Sequence, residues 1–224
     1  MRGLAALDGS TIIPATQTGV RIKVLAAHII LTVYGFWLPN DPRGSWSDFV
    51  AAWELLRFGK ATKIATRESV AHVHHDRNLR REAKQALKYP PVLLTGLQAR
   101  AVARGFARAI DEGAYPVHAC SILEDHAHLV VGAHARMYEQ IVSHLRSRAT
   151  SELRAECRHP FAQYEYRDGR VPSFWAEGFW KVYCSDLAHL SNAISYVERN
   201  PLREGKPPQT WSFVIPYPDL PQNK

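Results

Sequence analysis

The apolar positions of this chain change period along its length. Residues 20–34 hold Val24, Leu25, Ala26, Ala27, Ile29, Ile30, Leu31, Val33 and Tyr34 in a nearly unbroken run. Such a β-branched and aromatic run predicts a buried strand. Residues 35–48 (GFWLPNDPRGSWSD) carry two Pro and two Gly and predict a loop. Residues 49–90 are charged and predict partial helix, stopped at Tyr89-Pro90-Pro91. From Thr95 to Ile110 the period becomes helical, with Leu97, Val102, Phe106 and Ile110 close to one face. Tyr115–Leu123 and His126–Val131 predict two strands about a tight Glu124-Asp125 turn. Met137–Cys157 predicts a long helix with Ile141, Leu145 and Leu153 inward, and Phe179–Cys184 a further strand. Ser185 or Asp186 would cap a last helix that runs to about Arg199.

The order strand, insertion, helix, strand, strand, helix, strand, helix predicts an α+β fold. The expected architecture is a ferredoxin-like antiparallel sheet with the helices packed on one face. The expected organisation is a flexible N-terminal tail over 1–20, one domain over 21–205 with an insertion at about 38–90, and a Pro-rich C-terminal tail over 206–224.

Composition narrows the function. The 224 residues are 46% apolar, enough for a core, and carry a formal net charge of +7. That balance favours a polyanionic partner, most simply nucleic acid. Cys120, Cys157 and Cys184 are scattered and odd in number, which argues against a disulfide framework or a cysteine zinc site and fits a reducing cytoplasm. No apolar run approaches the ~18 residues of a membrane span, and Asp8-Gly9-Ser10 interrupts any secretory-type start.

Two short motifs, about seventy residues apart, carry candidate chemistry. The first is Asp125-His126-Ala127-His128. Alternate residues of a strand share a face, so His126 and His128 would stand side by side and could bind one divalent metal ion. Asp125 could orient a ring, and Ala127 would face the core. Two unliganded strand histidines are the plain alternative. A second match, His72-Val73-His74-His75, lies among charges typical of a solvated helix and is discounted.

The second motif is Tyr196-Val197-Glu198-Arg199-Asn200-Pro201. Leu187, Leu190, Ile194 and Val197 make an apolar stripe at 3-4-3 spacing. Tyr196 falls on the far side with His189, Asn192 and Asn200. Tyr196 and Asn200 are neighbours at i and i+4, so Asn200 could offer a carbonyl oxygen to a metal that Tyr196 approaches. An ordinary surface tyrosine and a C-cap asparagine are the plain alternatives.

Together these stretches resemble the single-tyrosine HUH transposases, the IS200-like and REP-associated tyrosine transposases. Leu123–Val131 resembles their metal strand, although Ala127 is small for the middle position. Tyr196–Arg203 is similar to the Tyr-x-x-x-Asn-Pro of the REP-associated group. Phe174-Trp175, Gly178-Phe179-Trp180 and the loop Tyr34–Ser45 are also similar to segments of that group. The resemblance spans about residues 22–205.

The resemblance implies the HUH endonuclease fold and cleavage of single-stranded DNA or hairpin flanks. Tyr196 would be the nucleophile, leaving a 5′-phosphotyrosine and a free 3′-OH. His126, His128 and Asn200 would hold Mg²⁺ or Mn²⁺, and a homodimer is the common family arrangement. Arg146, Arg148 and Arg154 are candidate phosphate contacts. Trp37 and Trp46, and with less weight Trp180, could stack on bases. Two other readings compete: a domesticated DNA-hairpin-binding protein without transposition activity, and a phosphodiesterase using the same histidines with water as nucleophile. The second leaves Tyr196 without a role.

Overall fold

The computed structural model describes residues 23–36, 38, 53–59 and 76–220. Its sheet has four strands: β1 (Ala26–Thr32), β2 (Val117–Ile122), β3 (His126–Gly132) and β4 (Trp180–Cys184). The order is β2-β3-β1-β4 with every pair antiparallel. The helices are α1 (Arg77–Gln85), α2 (Gly96–Gly113), α3 (Tyr138–Ala155) and α4 (Leu187–Arg203). This is the expected α+β class, with α4 added after the β-α-β-β-α-β unit. β1 sits between two strands and is covered on both faces, which is why its sequence is almost continuously apolar.

The two faces of the sheet differ. Ala27, Ile29 and Leu31 of β1 and Ala127, Leu129 and Val131 of β3 join the main core with α2 and α3. Ala26 and Val130 point the other way, into a second core with Leu190, Ala193 and Val197 of α4. The helices therefore do not all share one face: α2 and α3 cover the first, and α4 covers the second. The physical reason is that this second face carries apolar positions of its own and needs a cover.

α2 and α3 cross at Gly105. A Cβ there would lie 2.3 Å from Ala149 Cα. Ala101 and Ala109, one turn to either side, are also fully buried. Gly105→Val is expected to destabilise the chain by about 3 kcal/mol or more, read as a lowered denaturation midpoint; an unchanged midpoint contradicts the close crossing. Leu97 was expected on this helix's inner face but is exposed. It lies five residues from Val102, or about 140° off the stripe.

Asp186 caps α4 by accepting from the His189 N–H at 2.8 Å. Thr95 and Gln98 form a reciprocal capping box at the start of α2. Between β1 and α2, a 3₁₀ turn over Trp53–Phe58 and α1 share a small core of Leu38, Leu55, Phe58 and Ala83. The segment after α4 runs along the outer edge of β2. Gln209 accepts from Ile122 N–H and donates to Ile122 C=O, and the Ile215 N–H donates to Val117 C=O at 2.8 Å. These bonds satisfy an otherwise open sheet edge. All three cysteines are free. Among the described residues no helix is long and apolar enough to cross a membrane.

Candidate functional site

The site lies on the α4 face of the sheet. His126 and His128 share that face with Val130, and their ring centroids are 4.8 Å apart. His128 is 4% exposed. Its strand neighbours are Ile30 on β1 and Ser121 on β2, and His126 lies opposite Thr32. The hydroxyls of Thr32 and Ser121 are buried without a partner among the described residues. This end of the face therefore keeps unmet hydrogen-bonding capacity, which a purely apolar interface would not.

α4 brings the second motif over the histidines. The Asn200 side chain reaches His126, with Nδ2 at 3.3 Å from Nε2. The Tyr196 ring packs edge-on against His128 at 5.5 Å and lies 5.7 Å from the ring of His28. Tyr196 stays 39% exposed, whereas Asn200 is 4% exposed. The pair was expected on one polar face. Instead the buried stripe is Leu190, Ala193, Val197 and Asn200, and Leu187 is exposed. Small Ala193 lets the helix approach the sheet on its own side. That turns Asn200 inward and leaves Tyr196 at the border.

The C-cap reading of Asn200 is also corrected. α4 continues through Pro201 to Arg203, and the Asn200 carbonyl accepts from Glu204 N–H at 3.2 Å. Pro201 biases the residue before it away from helix, but closing bonds from Glu204 and Lys206 hold the last turn.

Both motif histidines use Nδ1 for positioning. His126 Nδ1 is 2.6 Å from Asp125 Oδ1, as expected of an orienting carboxylate. His128 Nδ1 is 2.9 Å from Nε2 of His28 on β1. His128 is thereby left with Nε2 for another partner, while Nε2 of His126 faces the Asn200 amide. Two imidazole nitrogens and an amide oxygen would suit Mn²⁺ better than Mg²⁺, which is reluctant toward nitrogen. For its oxygen to serve, Asn200 must present the other end of its amide, which is nearly the same shape. Among the described residues no group of three or more His, Cys, Asp and Glu is arranged to hold a metal ion. His28 thus does not complete a three-histidine cage.

Two neighbours, His28 and Arg203, lie outside both motifs. His28 lies inside an apolar strand run, where a single histidine is easily passed over; its even spacing from Ile30 and Thr32 marks it as facing α4. Arg203 places its guanidinium 5.0 Å from the Tyr196 ring centroid. It is seven residues from Tyr196, two helical turns along the same side.

The three candidate arginines are not gathered here. α3 lies across the sheet from α4, and each side chain is engaged. Arg146 is half-buried, lies over Trp175 at 5.6 Å and donates to the Gly178 carbonyl. Burial lowers its pKa to about 10. Arg148 pairs with Glu112 at 2.7 Å, and Arg154 donates to the Gly169 carbonyl at 3.1 Å. Helical charge alone could not distinguish these structural roles from phosphate contacts. Trp37, Trp46 and His72–His75 lie outside the described residues. Trp180 is half-buried on β4.

Burial lowers the pKa of His28 to about 4, helped by the charge of His189. Burial, then the charges of His126 and His28, hold His128 well below 6.5. Both rings are neutral at pH 7. An unfolded histidine titrates near 6.5, so on acidification the unfolded chain takes up protons first. The stability is present above about pH 6.5 and is lost as pH falls toward 4. His28 alone contributes on the order of 3 kcal/mol to this slope. Thermal melts in EDTA are expected to be level above about pH 7 and to fall steadily below it. A melting temperature unchanged at about pH 5 contradicts the neutral pair.

No family model matches the chain, and no curated protein matches it. Among solved structures, the chain is similar to a REP-associated tyrosine transposase bound to a REP hairpin. The identity is 9% and the TM-score 0.43, over 85% of this chain and 74% of that one.

Proposed function

We propose that this chain cleaves and rejoins single-stranded DNA as a transposase of the single-tyrosine HUH type. The observation that carries the reading is the convergence of Tyr196 and Asn200 with His126 and His128. Two motifs far apart in sequence meet on one face, where the Asn200 amide reaches Nε2 of His126 and the part-exposed Tyr196 packs against His128.

The phenol oxygen of Tyr196 attacks the scissile phosphorus. A P–O bond to tyrosine forms and the P–O3′ bond breaks. The phenol proton passes to solvent and the leaving 3′-oxygen takes one up, giving a 5′-phosphotyrosine and a free 3′-OH. Attack by a 3′-OH on that ester reverses the step, so rejoining needs no ATP. His126, His128 and Asn200 would hold Mg²⁺ or Mn²⁺, which supplies Lewis-acid stabilisation of the phosphate charge. Arg203, beside the tyrosine ring, adds positive charge where a phosphate must arrive. Tyr196 stands at the margin of the α4–sheet contact, and a strand must lie close against it. A single strand or the flank of a hairpin fits that requirement better than a duplex.

The test is a denaturing gel of the protein with labelled single-stranded oligonucleotides from the flanks of its own gene, with Mn²⁺ or with EDTA. A slow, protease-sensitive, metal-dependent band is expected. Cleavage without an adduct would instead indicate water as the nucleophile. A native-gel shift with neither adduct nor cleavage would indicate a DNA-hairpin-binding protein without transposition activity.

A further inference from the structure

We propose that His28 is a positioning residue that accepts the Nδ1–H of His128 and so fixes that ring with a bare Nε2. This rests on the reading of His126 and His128 as metal ligands. On the sheet His28 lies opposite Val130, hence diagonal to His128 and within side-chain reach. The two rings are 5.1 Å apart with Nε2 and Nδ1 at 2.9 Å.

A single proton sits between those nitrogens, so two arrangements exist. If His28 donates, neutral His128 keeps its own proton on Nε2 and has no lone pair to give there. If His128 donates, Nε2 is bare. Asp125 settles the same question for His126: an ionised carboxylate only accepts, so Nδ1 carries the proton and Nε2 keeps its lone pair. Asn200 faces that nitrogen. The two rings act as a matched pair only when His28 accepts, as Asp125 does. The two histidines of β3 thus have orienting groups of different chemistry, the carboxylate of Asp125 at the rim just before β3 and the neutral imidazole of His28 on β1 in the buried interior. An outer carboxylate beside His128 would place a charge in the interior, where the cost is high. A neutral ring performs the same task without it. His28 also touches the ring of Tyr196 at 5.7 Å, so it contacts the candidate ligand and the candidate nucleophile together.

The test uses ¹⁵N-histidine NMR of the full chain in EDTA at neutral pH, with Mn²⁺ calorimetry beside it. Wild type is expected to show His126 and His128 both as the Nδ1–H tautomer. In His28→Phe, which keeps a ring but has no acceptor, His128 is expected to populate the Nε2–H form. Mn²⁺ affinity should then fall about 10–100-fold, the usual effect of losing an outer partner. His28→Gln, whose amide oxygen can accept near the same place, should restore the tautomer and most of the affinity. A wild-type His128 in the Nε2–H form overturns the proposal. So does a His28→Phe protein with unchanged tautomer and affinity. If His28→Phe fails to fold, the wild-type spectrum and the Gln variant decide. If wild type takes up no Mn²⁺, the metal reading of the site falls, and the tautomer spectra alone decide the role of His28.

Discussion

Tyr196→Phe is expected to abolish the covalent DNA adduct while leaving DNA binding and the fold as they are. The substitution removes one oxygen. That hydroxyl makes no hydrogen bond among the described residues, so no buried partner is orphaned by its loss. The ring contacts persist in phenylalanine: the edge-on packing on His128 and the Arg203 guanidinium over its face. The melting temperature should therefore move little, as for most half-exposed substitutions without a broken network. Cleavage should fall by a factor on the order of 10³ to 10⁶, the range seen when a nucleophile is deleted from an intact site. The native-gel shift with the same oligonucleotide should stay within about twofold. Equal cleavage by the variant would remove Tyr196 from the role of nucleophile and move the reading to water. A lost shift would mean instead that the phenol serves to bind DNA.

Much of this arrangement was legible because period and type agree. The run over residues 20–34 announced a buried strand, and the His-x-His spacing placed two imidazoles on one side of β3. Even Asp125 was visible as an orienting group, since it adjoins the ring it holds. The misreadings have a common cause. Sequence fixes which residues of one helix share a face, but not how closely the helix approaches its neighbour. α4 is rotated from the expected stripe, with Ala193 buried and Leu187 exposed. That rotation turned Asn200 inward. Pro201 marked a plausible helix end, and hydrogen bonds further along overrode it. His28 was missed because its partner is a hundred residues away, joined only through strand register. The charges of α3 were ambiguous for a different reason. An arginine that closes a helix on a loop and one that awaits a phosphate look alike in one dimension.

His126→Ala is expected to lower Mn²⁺ affinity by more than the 10–100-fold typical of an outer-shell change, and to remove the metal-dependent adduct with it. His126 is the cleaner of the two histidines to test. His128 is 4% exposed, so its truncation opens a cavity beneath α4 and threatens the fold. The His126 side chain is 13% exposed, at the rim, and its partner Asp125 is 38% exposed. Asp125 can be solvated once the ring is gone, so little stability should be lost. Asn200→Leu asks the same question from the other element. Leucine branches at the same carbon and has as many side-chain heavy atoms as asparagine, though it is bulkier, so the shape is largely kept while the amide is lost. If both variants weaken Mn²⁺ binding and each leaves the melt in EDTA nearly unchanged, the two elements share one ion. Unchanged calorimetry for His126→Ala would leave the histidine pair as a structural feature of β3. Weakening by His126→Ala alone would leave Asn200 as a hydrogen-bond partner that holds the ring, which is the contact its amide nitrogen already makes.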